Sequence, residues 1–282
     1  MFFGSNICNI RAHLMKIFSA ATSMRPMFIA FSFFAVTTCV SFSQANSAPG
    51  KDGSETSRQL ILVTTKDWNA VSGELRRFER KTPAESWQQI GSSIDIVVGR
   101  TGLAWGRGLH PTKSAGPQKI EGDGKSPAGI FTLSSAFGFA PSAKMKSLKM
   151  PYLHVTDALE CVDDVKSLRY NSIVDRSHII NPDWNSSEKM REYTELYDLG
   201  VVVDHNTLPR IGGKGSCIFI HIWKGDGSGT AGCTAMEKDA MEKFIHWLDA
   251  SAKPVLVQLP ETEFRRLKTE WRLPEIKTAR DK

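Results

Sequence analysis

Short apolar runs bounded by glycine, proline and serine recur along the chain from residue 59 to residue 259. Each run has the length of one β-strand, about four to seven residues. A Gly-Ser-Ser turn is expected between two of them, at residues 91–93. The pattern predicts a mostly β domain, in the sense of a β-rich α+β fold, with long loops. The predicted strands cover residues 59–65, 87–91, 94–98, 130–133, 201–203, 217–222 and 254–259.

One segment has the period of an amphipathic helix. Over residues 235–248, apolar side chains recur every three or four positions and charged side chains fall between them. Thr234 followed three residues later by Glu237 is a capping-box pattern. We therefore expect the helix to begin directly after Cys233. A second short helix or turn is expected over residues 67–78.

The first 48 residues have the pattern of a secretory signal. Arg25 precedes an apolar run over residues 27–42, which is shorter than the roughly 20 residues of a membrane-spanning helix. Small residues follow, so we expect cleavage near Ala45 or Ala48, with Met24 as a possible true start. An uncleaved N-terminal anchor is the alternative. In both cases the folded part is expected outside the cytoplasm.

Composition and charge exclude several classes of protein. A hydrophobic content of 41% and a charged content of 23% exclude a wholly disordered chain and a polytopic membrane protein. The net charge is +6, and half of it comes from Arg11, Lys16 and Arg25 in a leader without acidic residues. No stripe of basic residues with interleaved aromatics follows. We therefore expect no nucleic-acid partner.

The segment at residues 213–236 concentrates the residues suited to chemistry. A strand delivers His221, a glycine-rich loop follows, and Cys233 precedes the expected helix. A nucleophilic cysteine needs a base within hydrogen-bond reach and donors for the oxyanion. His221 is the candidate base, and the backbone N–H groups of Gly232 and Cys233 are the candidate donors. A glycine at position 232 leaves its backbone uncovered.

The expected position of Cys233 at a helix N-terminus predicts a thiol pKa below the reference of about 8.5, because the helix dipole favours the thiolate. Two other interpretations stay open. In one, Cys233 and His221 are buried residues with structural roles. In the other, His221, Cys217 and Cys233 bind a metal ion, although no C-x-x-C or H-x-x-x-H spacing supports such a site.

Two sequence blocks, in the same order, resemble the L,D-transpeptidase (YkuD-like) family. Residues 119–131, KIEGDGKSPAGIF, are similar to the family block K-x-E-G-D-G-x-T/S-P-x-G-x-F. His221 with residues 230–233, TAGC, resembles the family's strand histidine followed by S/T-x-G-C. The resemblance covers about residues 94–260. Stretches that look like one branch of the family, with a T-A-G-C-x-A-M signature, are residues 105–109, 160–164, 183–184, 188–190 and 215–219.

The resemblance implies a fold and a reaction. It implies a β-sandwich or barrel-like catalytic domain over residues 94–260, preceded by a linker and strands over 49–93 and followed by a charged, peripheral or frayed tail over 261–282. Cys233 would be the nucleophile, His221 the general base and acid, and Gly232 an oxyanion donor through its backbone. The substrates would be peptidoglycan stem peptides, joined through a thioester to an amine in the periplasm or cell wall. No cofactor or metal is implied, and carbapenem-type β-lactams would be covalent inhibitors.

The sequence departs from the family pattern beside the nucleophile. Many members have S-H-G-C-I-R, whose arginine often binds a substrate carboxylate, whereas Ala231 replaces the histidine here and Thr234-Ala235 stands in place of Ile-Arg. This departure leaves the identity of the donor peptide open. The side chains expected to contact substrate, each with a core or turn role as its alternative, are Trp223, Thr230 and Asn206.

The cysteine count predicts one disulfide. Five cysteines occur, and Cys8 and Cys39 fall in the leader. Three remain, an odd number in an oxidising compartment, which suggests one disulfide and one free thiol. With Cys233 as the free thiol, the pair left is Cys161 and Cys217. Two unpaired buried cysteines are the alternative.

Two functions other than acyl transfer stay open. With water as the acceptor, the same dyad would make a carboxypeptidase or endopeptidase that cuts peptidoglycan amides. In the second alternative, the chain is a non-catalytic scaffold that binds the cell wall and has a decayed site. The joint presence of His221, Gly232 and Cys233 argues against decay.

Overall fold

The computed structural model describes residues 55–111 and 115–276. The predicted signal at residues 1–48 lies outside these residues. The strands are β1 Gln59–Thr65, β2 Ser72–Glu79, β3 Gln88–Val97, β4 Leu103–Trp105, β5 Ser126–Gly138, β6 Tyr152–His154, β7 Leu159–Val162, β8 Ser172–Asp175, β9 Ser187–Lys189, β10 Leu199–Val203, β11 Phe219–Ile222, β12 Thr234–Met236 and β13 Val255–Pro260. The helices are α1 Lys238–Trp247 and α2 Glu261–Leu267. A 3₁₀-helical segment at Met190–Tyr197, here the cap segment, precedes β10.

Eight strands close into a barrel. Their order around the ring is β10, β11, β12, β3, β2, β1, β13 and β5, and the pairing of β5 with β10 closes it. The 13 residues of β5 allow this, since its first half pairs with β13 and its second half with β10. A separate sheet has the order β8, β7, β9. The prediction of a β-rich, barrel-like fold with few helices is confirmed.

Alternation along the strands separates two cores. Ile218, Ile220 and Ile222 belong to the large cluster that fills the barrel. Phe219 points the other way and joins a smaller cluster with Phe137, Tyr197, the disulfide cysteines and Cys233. The smaller cluster therefore lies between the outer face of the barrel and the elements that cover it, namely the three-stranded sheet and the cap segment.

Two predictions in the first part of the chain are wrong. The expected turn at residues 91–93 lies inside β3, which continues through a glycine with φ +67° opposite a register shift in β2. The expected helix or turn over residues 67–78 is a turn only at its start, where Asp67 accepts the Asn69 and Ala70 N–H groups, and the rest is β2, a strand paired with both β1 and β3. In both places the pairing of strands outweighs local turn and helix propensity.

The helix after Cys233 begins later than the capping-box pattern predicts. Thr234–Met236 form β12, pair with β11 and β3, and are buried. The helix starts at Lys238, and the Glu237 carboxylate accepts the Ala240 N–H at 3.1 Å as its N-cap. Burial between two strands therefore outweighs the helix signal of these three residues, and Cys233 does not lie at a helix N-terminus.

The C-terminal segment to residue 276 is not a frayed tail. Residues 261–267 form α2, and the side chains of Phe264, Leu267, Trp271 and Leu273 are buried in the main core. The charged residues that suggested a solvated tail occupy the opposite side of this segment, where Arg266 pairs with Glu263. No helix within the described ranges is long and apolar enough to span a membrane.

Gly200 of β10 leaves room for the Phe137 ring on the outer face of the barrel. It pairs with His221, and a Cβ built on it would lie 2.1 Å from the Phe137 ring. We expect Gly200→Ala to lower the free energy of unfolding by about 1–3 kcal/mol, because the methyl group displaces this ring. Urea unfolding measures the loss.

The control for this substitution is the double variant Gly200→Ala with Phe137→Leu. Removing the ring makes space for the methyl group, so the double variant should lose less stability than the sum of the two single variants. Additive losses would show that the methyl group acts elsewhere.

Candidate active site

Adjacent parallel strands position His221 and Cys233. In the register of β11 and β12, Ile220 pairs with Thr234 and His221 with Ala235. One step back in this register, Phe219 lies beside Cys233. Because side chains alternate along a strand, Phe219, His221 and Cys233 share the outer face of the barrel. The imidazole and the thiol are therefore diagonal neighbours on one face.

Backbone groups hold the Cys233 sulfur, and Tyr197 belongs to the same buried cluster. Sγ accepts the Phe219 N–H at 3.3 Å and donates to the Cys217 carbonyl at 3.6 Å. Cys233 is a buried free cysteine. Burial raises its thiol pKa well above the usual value, and the negative charge of Glu188 raises it further. The prediction of an acidic thiol is therefore wrong for this arrangement.

His221 is held as a neutral imidazole. Its Nδ1 lies 2.7 Å from the Ile222 carbonyl. That contact assigns the proton to Nδ1 and leaves Nε2 as the acceptor. Burial lowers the pKa of His221 to about 4, against which the Ile222 carbonyl acts. At neutral pH the site therefore contains a thiol and a neutral base.

The predicted roles of Thr230 and Gly232 change with the structure. The Thr230 hydroxyl donates to the Cys233 carbonyl at 2.6 Å and accepts the Gly232 N–H at 3.1 Å. Ser126, which we did not single out from the sequence, also donates to the Cys233 carbonyl, at 2.7 Å. Thr230 therefore shapes the backbone of the nucleophile, and the Gly232 N–H is already bonded. Of the two N–H groups expected to stabilise an oxyanion, only that of Cys233 stays a candidate.

Gly232 has little space for a side chain. An added Cβ would lie 3.2 Å from the Lys125 carbonyl and 3.4 Å from Ile218 Cδ1. Lys119 Nζ would lie 3.9 Å away. A side chain at this position would therefore require its neighbours to shift by a few tenths of an ångström.

The block at residues 119–131 packs against Gly232 and Cys233. Asp123 accepts the Ile120 N–H at 3.0 Å and the Lys125 N–H at 2.9 Å, which closes a tight turn. The buried Lys119 ammonium donates to the Asp123 carboxylate at 2.5 Å. Glu121 accepts from the Ser216 hydroxyl at 2.8 Å. This block therefore places one buried cation beside Gly232.

Asn206 has a structural role. It is fully buried, with φ +55°, and its side chain bonds to the Ile211 N–H and to the Ile211 and Gly215 carbonyls. Its amide groups are occupied within this loop, so the predicted contact with substrate is not available. Trp223 is half-buried. Its backbone N–H donates to the Met236 carbonyl at 2.8 Å, which extends the pairing of β11 with β12.

A disulfide joins Cys161 and Cys217, with Cα atoms 6.0 Å apart. It ties β7 of the covering sheet to the residues that lead into β11. Because Cys217 is in this disulfide, it is not available for the alternative metal site with His221 and Cys233. In the part of the chain that the structure describes, no group of three or more His, Cys, Asp or Glu side chains is arranged to hold a metal ion.

Tyr197 and Glu188 are the site residues that sequence reasoning missed. Tyr197 ends the cap segment, and its ring lies 5.2 Å from the His221 ring. Its hydroxyl donates to Glu188 of β9 at 2.8 Å. Glu188 lies in a stretch that resembles the family, but neither residue follows a motif that assigns it to the sulfur. Only tertiary packing brings them there.

A family model described as the L,D-transpeptidase catalytic domain (YkuD) matches residues 65–257. The chain belongs to the L,D-transpeptidase (YkuD) family. A solved structure it resembles is the helical cell shape determining protein Pgp2 from Campylobacter jejuni, with 18% identity and a TM-score of 0.36. That alignment covers 72% of this chain and 48% of the other, so this chain spans about half the length of Pgp2. The search of curated proteins finds no match.

In this L,D-transpeptidase family domain, the matched range includes the turn at residues 119–125, His221 and Cys233. The match begins within β1, and β1 to β3 form part of the barrel. Members of the family are typically cysteine-dependent transpeptidases. Cys233 is therefore the candidate for such a cysteine in this chain.

Proposed function

We propose that this protein is an exported cysteine acyltransferase that acts on peptidoglycan stem peptides. The observation that carries the proposal is the common outer face of β11 and β12, on which His221 and the buried free thiol of Cys233 are diagonal neighbours. Membership of the L,D-transpeptidase family supports the same class of reaction. Export is proposed from the leader pattern of the first 48 residues.

The proposed reaction has two halves. In the first, Sγ attacks an amide carbonyl of the donor stem while its proton passes to Nε2 of His221. The S–C bond forms, the C–N bond breaks, and the leaving amine takes the proton from the imidazole. In the second, the attacking amine adds to the thioester carbonyl and gives a proton to His221. The new C–N bond forms, the S–C bond breaks, and the leaving thiolate takes the proton back from the imidazole, which restores the thiol. One amide replaces another, so no nucleotide is consumed.

The charge state of the site favours general-base catalysis over a preformed ion pair. Burial lowers the pKa of His221 and raises that of Cys233, so both side chains are neutral before substrate binds. The proton therefore moves as the S–C bond forms. The negative charge that develops on the carbonyl oxygen is stabilised by the Cys233 N–H, with the Lys119 ammonium nearby.

Access to the sulfur is through the cap segment. Tyr197 covers Cys233 and His221, and Tyr193 stacks on Tyr197 with ring centroids 4.6 Å apart. Thr194, between these two tyrosines, has φ +43°, a conformation that breaks the segment into two turns. We propose that the donor stem reaches Sγ when this segment moves outward.

Muropeptide analysis tests the proposal. Purified sacculi are incubated with the full chain or with Cys233→Ala, digested with a muramidase and examined by mass spectrometry. Acyl transfer predicts new cross-linked or amine-exchanged stems only with the unsubstituted chain. Stems that are shortened or separated without a new amide would identify a hydrolase. Identical products from both proteins would contradict the proposed function. A carbapenem adduct on the tryptic peptide of residues 225–238 gives an independent measurement of nucleophilicity.

A further inference from the structure

A buried carboxylate and a buried hydroxyl lie in line with the nucleophile. Glu188, in β9, pairs with Cys161 of β7. Its Oε2 accepts from the Tyr197 hydroxyl at 2.8 Å, and Tyr197 lies in the same buried cluster as Cys233. Burial raises the pKa of the Cys233 thiol, Glu188 raises it further, and the Tyr197 hydroxyl lowers it. The proposed reaction does not use Glu188 or Tyr197. Both side chains nevertheless act on the charge of the Cys233 thiol.

Packing leaves the Tyr197 ring little freedom. It makes edge contacts with Phe219, Phe137 and His221, with centroids 5.5, 5.5 and 5.2 Å away. The ring is 3% exposed. The hydroxyl is therefore fixed beside the Glu188 carboxylate, in the same buried cluster as the Cys233 sulfur. It has a single proton to donate.

We propose that Glu188 and Tyr197 form a positioning pair for the nucleophile, in which Glu188 determines whether the Tyr197 proton is directed to itself or to the Cys233 sulfur. When Glu188 is ionised, Tyr197 donates to the carboxylate. When Glu188 is protonated, it donates to the Tyr197 oxygen, and the Tyr197 proton turns to the thiolate as that forms. This inference rests on the proposed role of Cys233.

The surroundings of Glu188 place this choice near neutral pH. Burial raises the pKa of Glu188 to about 7; the hydrogen bond from Tyr197 opposes this, and Asp163 and Glu121 add to it. Tyr197 itself stays protonated, because burial and the neighbouring charges raise its pKa well above the usual value. The titratable and charged groups that face the pair from the surrounding elements are Asp163, Glu121, Lys119, Tyr193, His221 and Cys233.

The effect on the sulfur follows from the two states. Ionised Glu188 disfavours a negative charge on Cys233 and accepts the hydrogen bond that the Tyr197 hydroxyl donates. Neutral Glu188 removes the opposing charge and frees the proton to stabilise the thiolate. The thiol therefore reacts more readily, at a given hydroxide concentration, on the acidic side of the Glu188 titration than on the alkaline side.

Alkylation of the full chain by iodoacetamide tests this directly. The rate at Cys233 is measured from pH 5 to pH 9 through the tryptic peptide of residues 225–238, which separates it from every other cysteine. We expect the logarithm of the rate to rise with pH, to flatten near pH 7 as Glu188 ionises, and to rise again. In Glu188→Gln the flat region should disappear, and the rate above pH 7 should increase about tenfold.

Tyr197→Phe should act in the opposite direction. It keeps the ring and removes the donor, so the rate below pH 7 should fall about tenfold. Glu192→Gln, the same change on an exposed carboxylate of the cap segment, should leave the profile unchanged. A flat region that persists in Glu188→Gln, or rates that move the same way in Glu188→Gln and Tyr197→Phe, would overturn the inference.

The measurement needs no acyl donor, so it separates the two proposals. Opposite shifts in the variants, combined with unchanged muropeptides, would keep the positioning pair and reject the acyltransferase. If Tyr197→Phe does not fold, as judged by circular dichroism, the flat region in the profile of Glu188→Gln alone decides the outcome.

Discussion

Replacing Cys233 by alanine is expected to reduce acyl transfer from stem peptides by at least about 10³-fold, because the thioester has no other nucleophile at that position. The fold should persist, since Cys233 contributes a small side chain to its cluster. The rate of product formation and the mass of the carbapenem adduct measure the loss. Unfolding in urea should give nearly the same midpoint for both proteins.

His221→Gln is the companion variant. The carboxamide keeps a hydrogen-bond donor for the Ile222 carbonyl but has no basic nitrogen for the thiol proton. Transfer should fall by about 10²–10⁴-fold, while alkylation of Cys233 should continue. Transfer activity retained in Cys233→Ala would end the proposal of a cysteine nucleophile, whereas activity retained only in His221→Gln would assign the base elsewhere.

Stability is expected to fall by several kcal/mol as the pH is lowered from about 6.5 to about 4. Burial lowers the pKa of His110 to about 4, of His205 to about 3 and of His221 to about 4. Each is protonated in the unfolded chain near pH 6.5 but stays neutral in the fold, so lower pH favours unfolding. Each contributes roughly 3 kcal/mol over this window.

In two of these imidazoles a ring nitrogen that accepts a hydrogen bond adds to the effect of burial. In His110, Nδ1 accepts the Ile130 N–H at 3.0 Å, and in His205, Nδ1 accepts the Arg107 N–H at 3.2 Å. A proton on either nitrogen would break that bond inside the core. Glu188 acts in the opposite sense. Its pKa is raised in the fold, so the folded protein binds this proton before the unfolded chain does as the pH falls. The resulting gain in stability offsets the loss caused by about one histidine.

Urea unfolding at pH 7.5, 5.5 and 4.5 measures the slope. The variant His246→Gln is the control, because this side chain is exposed on α1 and should leave the slope unchanged. A free energy of unfolding that stays constant from pH 7.5 to 4.5 would show that the buried histidines titrate normally. His110→Gln should reduce the slope if its imidazole contributes as expected.

Much of the fold could be predicted from local patterns. The apolar runs at residues 59–65, 201–203 and 254–259 lie in or close to β1, β10 and β13. The boundaries that failed are those where a strand continues through a glycine, as in β3, or where a helix-like pattern pairs as a strand, as in β12. Strand pairing involves residues far apart in sequence, and no local pattern reports it.

The environment of the candidate site could not be predicted in the same way. The motif around Cys233 and the strand of His221 were visible in the sequence, and the free thiol followed from the odd number of cysteines. The acidic thiol was inferred from a helix that starts three residues later than expected. The partners that matter for the sulfur, Tyr197 and Glu188, come from the cap segment and the covering sheet.

The sequence by itself determined the β-rich architecture and the order of the two family blocks, because alternation and motif spacing are local properties of the chain. Only the tertiary structure decided the charge state of the site, since a pKa depends on burial and on neighbours brought from distant segments. It also decided which groups hold the sulfur, for the closure of the barrel brings β11 and β12 beneath Tyr197.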